Sequence, residues 1–131
     1  MEPRLAARGR ILLVEDDAEA AWMLARFLSD DGYTVEVAHD SGEAIACLDH
    51  APTPDVLIVD FLLPHADGLA VASHGRTRCA TLPVVMISSY LEVVARLDRQ
   101  LDPPAVLLPK PLQYADLARA LDGLLAPATA L

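Results

Sequence analysis

Apolar residues gather in five short runs along the chain, at positions 11–14, 34–38, 56–59, 84–87 and 105–108. Runs this short, rich in Val, Ile and Leu, predict strands buried on both faces, as in a parallel sheet. The second run differs, because Val35-Glu36-Val37 alternates apolar and polar positions and so fits a strand nearer a sheet edge.

Between the runs the apolar period lengthens to that of helices. Positions 17–29 put Ala21, Leu24 and Leu28 on one stripe, and Asp31-Gly32 supplies a stop. Asp40 and Glu43 stand at capping-box spacing ahead of Ala44, Ile45 and Leu48. Positions 68–76 predict a weaker helix that Gly75 interrupts. Positions 91–100 carry Leu91, Val94, Leu97 and Leu101 along one face, and positions 113–125 carry Leu117, Leu121, Leu124 and Leu125 before Ala126-Pro127 closes the pattern. Strand and helix therefore alternate five times, which predicts an α/β fold with a five-stranded parallel sheet and helices on both faces. The predicted domain covers residues 10–126, with a tail at 1–9 and another at 127–131.

At 131 residues, 53% of them hydrophobic, the chain is long enough for one well-cored domain and too short for two. No apolar run reaches the roughly 18–20 residues of a membrane span. A net charge of −9 argues against direct nucleic-acid binding through a basic face, and it favours a bound cation. Cys47 and Cys79 are isolated thiols without metal-ligand spacing, which suits a reducing cytoplasm and predicts two small buried residues. His39, His50, His65 and His74 show no zinc spacing and read as surface residues, although His65 lies close in sequence to Asp60. Trp22 reads as a packing residue on a helix face, while Tyr90 and Val93 are candidates for an exposed interaction face.

Polar residues interrupt the apolar pattern where chemistry is expected. Glu15-Asp16, Asp60, Ser88 and Lys110 each directly follow an apolar run or stand one Pro beyond it. In an open parallel sheet the ligand site forms beyond the carboxyl ends of the strands, so these residues should converge there. Three carboxylates so placed repel one another unless a cation intervenes, and Mg²⁺, a hard cation that takes oxygen ligands, fits that need. A carboxylate beside such a metal is a competent nucleophile toward phosphorus. Lys110 is the only lysine among nine arginines, which suggests a site that needs a compact ammonium and not a guanidinium fork.

These residues resemble a known family. Leu12-Leu13-Val14-Glu15-Asp16-Asp17, Val59-Asp60 with Pro64 and Asp67-Gly68, Leu82-Pro83-Val84-Val85-Met86-Ile87-Ser88, and Lys110-Pro111 occur in the order and at the intervals of the receiver domain of two-component response regulators. The resemblance spans about residues 10–125 and implies a flavodoxin-like sheet of order 2-1-3-4-5. It further implies Asp60 as phosphoacceptor, with Asp16, Asp60 and the Leu62 backbone carbonyl as Mg²⁺ ligands and Glu15 acting through water. Ser88 and Lys110 would contact the phosphoryl group, and the Lys110-Pro111 bond would be cis. The implied partner is a histidine kinase or a histidine phosphotransfer protein, and a homodimer is compatible with the family. The sequence departs from the family at Leu107, where an aromatic is usual, and at Pro103-Pro104, Ser89, Pro109 and Leu112.

Two other readings compete. One is a receiver-like interaction domain that binds partners without phosphorylation, which Leu107 and Pro103-Pro104 favour. The other is a hydrolase that passes through an aspartyl phosphate. That reading lacks its general acid, because Leu62 occupies the position two residues after Asp60.

Overall fold

The computed structural model describes residues 8–50, 52–97 and 101–126. Five strands, β1 (Gly9–Val14), β2 (Tyr33–Ala38), β3 (Val56–Asp60), β4 (Val84–Ser88) and β5 (Val106–Pro109), alternate with five helices. The helices are α1 (Ala18–Asp30), α2 (Ser41–His50), α3 (Gly68–Arg78), α4 (Leu91–Leu97) and α5 (Tyr114–Leu124). All strand pairings are parallel and the sheet order is β2-β1-β3-β4-β5. The end of the predicted fourth helix, 98–100, and the packing of Leu97 lie outside the described residues, as do the tail positions 1–7 and 127–131.

Alternate side chains of the strands build two cores. Ile11, Leu13, Ile58, Val85 and Ile87 face one side, where they meet Leu28 of α1 and Leu117 and Leu121 of α5. Leu12, Val14, Leu57, Val59, Val84 and Met86 face the other, against Ala44 and Leu48 of α2, Val71 and Ala72 of α3 and Val94 of α4. β3 and β4 are buried along their whole length, so Asp60 and Ser88 each end a fully buried interior strand.

Local chemistry explains the helix boundaries. Asp17 caps α1 by accepting the Glu19 and Ala20 amides. Asp40 accepts the Glu43 amide at 2.8 Å, but the Glu43 carboxylate reaches back to the His39 amide at 2.9 Å, one residue beyond the usual capping box. Arg8, read with the tail, is attached to the fold. It pairs with Asp122 at 2.7 Å, and its guanidinium lies over the Tyr33 ring.

Several expectations are corrected. Gly75 does not interrupt α3, which runs on to Arg78; it is a packing position, where an added Cβ would lie 2.7 Å from Leu82 Cδ2. β5 is half-buried and not sandwiched, because it is an edge strand. Cys47 and Cys79 are half-buried, each packed against the rim of a core. Trp22 is 65% exposed, because it falls beside the stripe that buries Ala21 and Leu28.

This division of α1 yields a stability prediction. Leu28→Ala should cost about 2–5 kcal/mol through the cavity it leaves, whereas Trp22→Ala should stay within about 0.5 kcal/mol. Urea unfolding of both variants checks this. Equal costs would mean that the packing of α1 is misassigned.

Candidate phosphoacceptor and metal site

Parallel strands that all end on the same side bring the polar interruptions together. Oxygen atoms of Glu15, Asp16 and Asp60 lie within 4.8 Å of one another. Glu15 and Asp60 are buried, with 6% and 4% exposure, while Asp16 is exposed. Lys110 reaches in from the loop after β5, and its Nζ donates to Asp60 Oδ2 at 2.6 Å. The Lys110 amide also donates to the Ser88 carbonyl at 3.2 Å, which ties this loop to the end of β4. The Lys110-Pro111 bond is cis, and so is Asp102-Pro103.

Asp60 is fixed from both directions along its strand. Its register partner is Ile87, and the next amide, Phe61, donates to the Ile87 carbonyl at 2.9 Å. Leu62 forms an isolated bridge with Asp67, and Gly68 donates to the Phe61 carbonyl at 2.6 Å, folding the loop back over the strand end. Gly68 tolerates this close approach because it has no side chain. A Cβ there would stand 2.5 Å from the Asp60 carbonyl oxygen. Within the same loop His65 holds a left-handed backbone, φ 75°.

The charges are unbalanced. Burial, and then the fields of Asp60 and Asp16, push the Glu15 carboxyl above its usual value, against the opposing effects of the Asp17 amide and Lys110. The Asp17 amide donates to Glu15 Oε2 at 3.0 Å. For Lys110, burial favours the neutral amine, but pairing with Asp60 and the fields of Glu15 and Asp16 outweigh it, and the net shift is upward. One ammonium thus faces three carboxylates. A hard divalent cation suits this donor set, since closely spaced oxygens include one whose ionisation is disfavoured without added positive charge.

Ser88 is 2% exposed at the end of β4, where its Oγ accepts the Tyr90 amide at 2.8 Å. That contact had no signature in residue type. His39, read as a surface residue, is exposed, but its Nδ1 lies 3.3 Å from the Glu15 carbonyl oxygen. A cleft of about 370 Å³ opens beside the carboxylates, between α1 and the loop before α5, walled by Met23, Phe27, Pro111, Leu112 and Tyr114 and reaching Glu15 and Lys110.

Known proteins resemble this chain in sequence and fold. Residues 11–122 match the family described as response regulator receiver domain. The chain is 39% identical over 119 residues to response regulator MprA of Mycobacterium ulcerans (strain Agy99), a match covering 88% of this chain and 50% of that protein. The chain thus spans about half the length of the curated relatives it matches. Among solved structures, the receiver domain of the hybrid histidine kinase CckA superimposes with a TM-score of 0.76 at 34% identity, covering 89% of this chain and 99% of that one. The non-phosphorylated HemR receiver domain of Leptospira biflexa gives a TM-score of 0.79 at 27% identity, covering 93% and 98%.

The Glu15 shift has a measurable consequence. An unfolded Glu15 ionises near its ordinary value of 4.5, whereas the folded one holds its proton to higher pH. Ionisation therefore penalises the fold, fully above the raised value and not at all below the ordinary one. In Mg²⁺-free buffer Glu15→Gln should melt higher than wild type at pH 7, with the advantage shrinking as pH falls toward 4.5. A variant that melts lower at pH 7 would contradict the repulsive cluster.

Proposed function

This chain belongs to the response regulator receiver domain family, and we propose that it accepts a phosphoryl group from a phosphohistidine onto Asp60. The observation that carries this reading is the buried Asp60 carboxylate, paired with the only lysine of the chain at 2.6 Å and crowded by two further carboxylates. A structural ion pair would not need that crowding, and it would lower stability for no return.

Each residue then has a task. An Asp60 carboxylate oxygen attacks phosphorus; the O–P bond forms as the P–N bond breaks, and the electron pair leaves with the imidazole nitrogen, which takes up a proton. Lys110 supplies a compact positive charge beside the attacking carboxylate and then to a phosphoryl oxygen. Ser88 donates its hydroxyl proton to another phosphoryl oxygen. Mg²⁺, held by Asp16, Asp60 and the Leu62 carbonyl and by Glu15 through water, would neutralise the acidic cluster and the equatorial oxygens in transfer. Slow attack by water on the same phosphorus would return Asp60 to its carboxylate and end the signal.

The phosphoryl donor would be a histidine kinase or a histidine phosphotransfer protein, approaching through the apolar cleft between α1 and the loop before α5. No helix of the described residues is long and apolar enough to cross a membrane. Together with the two free thiols, this supports a cytoplasmic site of action. The net charge of −9 supports protein partners over nucleic acid, and a homodimer is compatible with this reading.

Intact mass after incubation with acetyl phosphate and Mg²⁺ tests the proposal. Wild type should gain one phosphoryl group only when the metal is present, and Asp60→Asn should gain none while remaining folded. Modification of Asp60→Asn at the wild-type rate would place the acceptor elsewhere. An unmodified wild type would favour the phosphorylation-independent interaction domain.

A further inference from the structure

We infer that His39 is a positioning residue for the metal site: its ring holds the main chain between Glu15 and Asp16, and so sets where the Asp16 carboxylate stands. This rests on the metal-site reading of Asp16 and Asp60 and adds the residue that keeps one of those ligands in place.

The three carboxylates are not restrained alike. Asp60 is paired with Lys110 at 2.6 Å, and Glu15 accepts the Asp17 amide at 3.0 Å. Asp16 is the exposed member of the cluster, and among the described residues no hydrogen-bond donor binds its carboxylate. Against repulsion from its two neighbours it is therefore held in place through its backbone. On one side that backbone is fixed by Asp17, the cap of α1. On the other side the restraint falls to Glu15.

Both main-chain groups of Glu15 are bound by consecutive residues at the end of β2. Its amide donates to the Ala38 carbonyl at 3.0 Å, and His39 Nδ1 stands 3.3 Å from its carbonyl oxygen. A carbonyl only accepts, so Nδ1 carries the proton and donates it. In a continued parallel ladder an amide of the neighbouring strand would fill that place. β2 stops at Ala38 and α2 starts at Ser41, so the imidazole supplies the donor that the strand no longer does. Glu15 is buried, which leaves its carbonyl little water as an alternative partner.

The His39 backbone is itself anchored, since Glu43 Oε1 accepts its amide at 2.9 Å. The Glu15 carbonyl and the Asp16 amide share one rigid peptide plane, so a bond to the first fixes the rotation of the second. An imidazole protonated at Nδ1 and an imidazolium both donate from that atom, so the clamp works in either charge state.

Two substitutions separate the donor atom from the ring. The amide nitrogen of asparagine stands as many bonds from Cβ as Nδ1 does, whereas that of glutamine reaches the position of Nε2. Mg²⁺ binding is measured by isothermal titration calorimetry on the full chain. His39→Ala and His39→Gln should bind the metal about fivefold more weakly, the equivalent of one ordinary net hydrogen bond. His39→Asn should bind it as wild type does. Nitrogen-15 NMR of wild-type His39 at about pH 8.5, where an ordinary imidazole is neutral, should find the proton on Nδ1, a reading that needs no variant to fold. A proton on Nε2 would overturn the inference, as would equal losses in His39→Asn and His39→Gln. A wild type that binds Mg²⁺ with an affinity His39→Ala retains overturns the clamp alone, whereas one that fails to bind Mg²⁺ overturns the metal-site reading as well.

Discussion

Three carboxylates held within 4.8 Å of one another, with one ammonium 2.6 Å from Asp60, are the constraint around which this molecule is arranged. Left to itself such a cluster would neutralise by taking up protons or would splay apart. The sheet prevents the second outcome. Asp60 terminates β3, a central strand paired on both sides, and Glu15 follows β1, its neighbour in the order β2-β1-β3-β4-β5. Loop elements complete the restraint. The Asp17 amide holds Glu15, and Gly68 allows the loop after β3 to close against the backbone of Asp60.

The cluster is thus held in a state that positive charge stabilises, from Lys110 and, on the proposed function, from a divalent cation. Binding sites of this kind are weak when few side chains ligate directly, and weakness suits a signalling site that must load and clear. On the proposed function, a phosphoryl group on Asp60 would add acceptor oxygens for the Ser88 hydroxyl and the Lys110 ammonium. The cleft proposed for the incoming donor lies against α1.

Much of this could be read in the residues. The five apolar runs mark the five strands, since central parallel strands must be apolar on both faces. The charged residues that end them mark the site, since an open parallel sheet exposes its functional edge only there. Other features left no such trace. Trp22 is apolar and helical, yet the position of the stripe, not the residue type, decides that it faces outward. Residues 105–108 look like a central strand because an edge strand with helices on both sides is also apolar, and only the sheet order distinguishes them. Gly75 reads as a helix breaker, whereas its reason is the nearness of Leu82. The Tyr90 amide is invisible for a simpler cause, since every residue other than proline has one.

The most direct measurement is the melting temperature of the wild-type chain as Mg²⁺ is raised into the millimolar range at neutral pH, beside that of Asp16→Asn. A cation that relieves repulsion among Glu15, Asp16 and Asp60 binds the folded state and raises its melting temperature in a saturable way. Asp16→Asn, with one charge fewer, should melt higher without the metal and respond less to it. A wild-type melting temperature indifferent to Mg²⁺ would mean that the carboxylates do not form a metal site, and phosphoryl transfer to Asp60 would lose the positive charge it depends on.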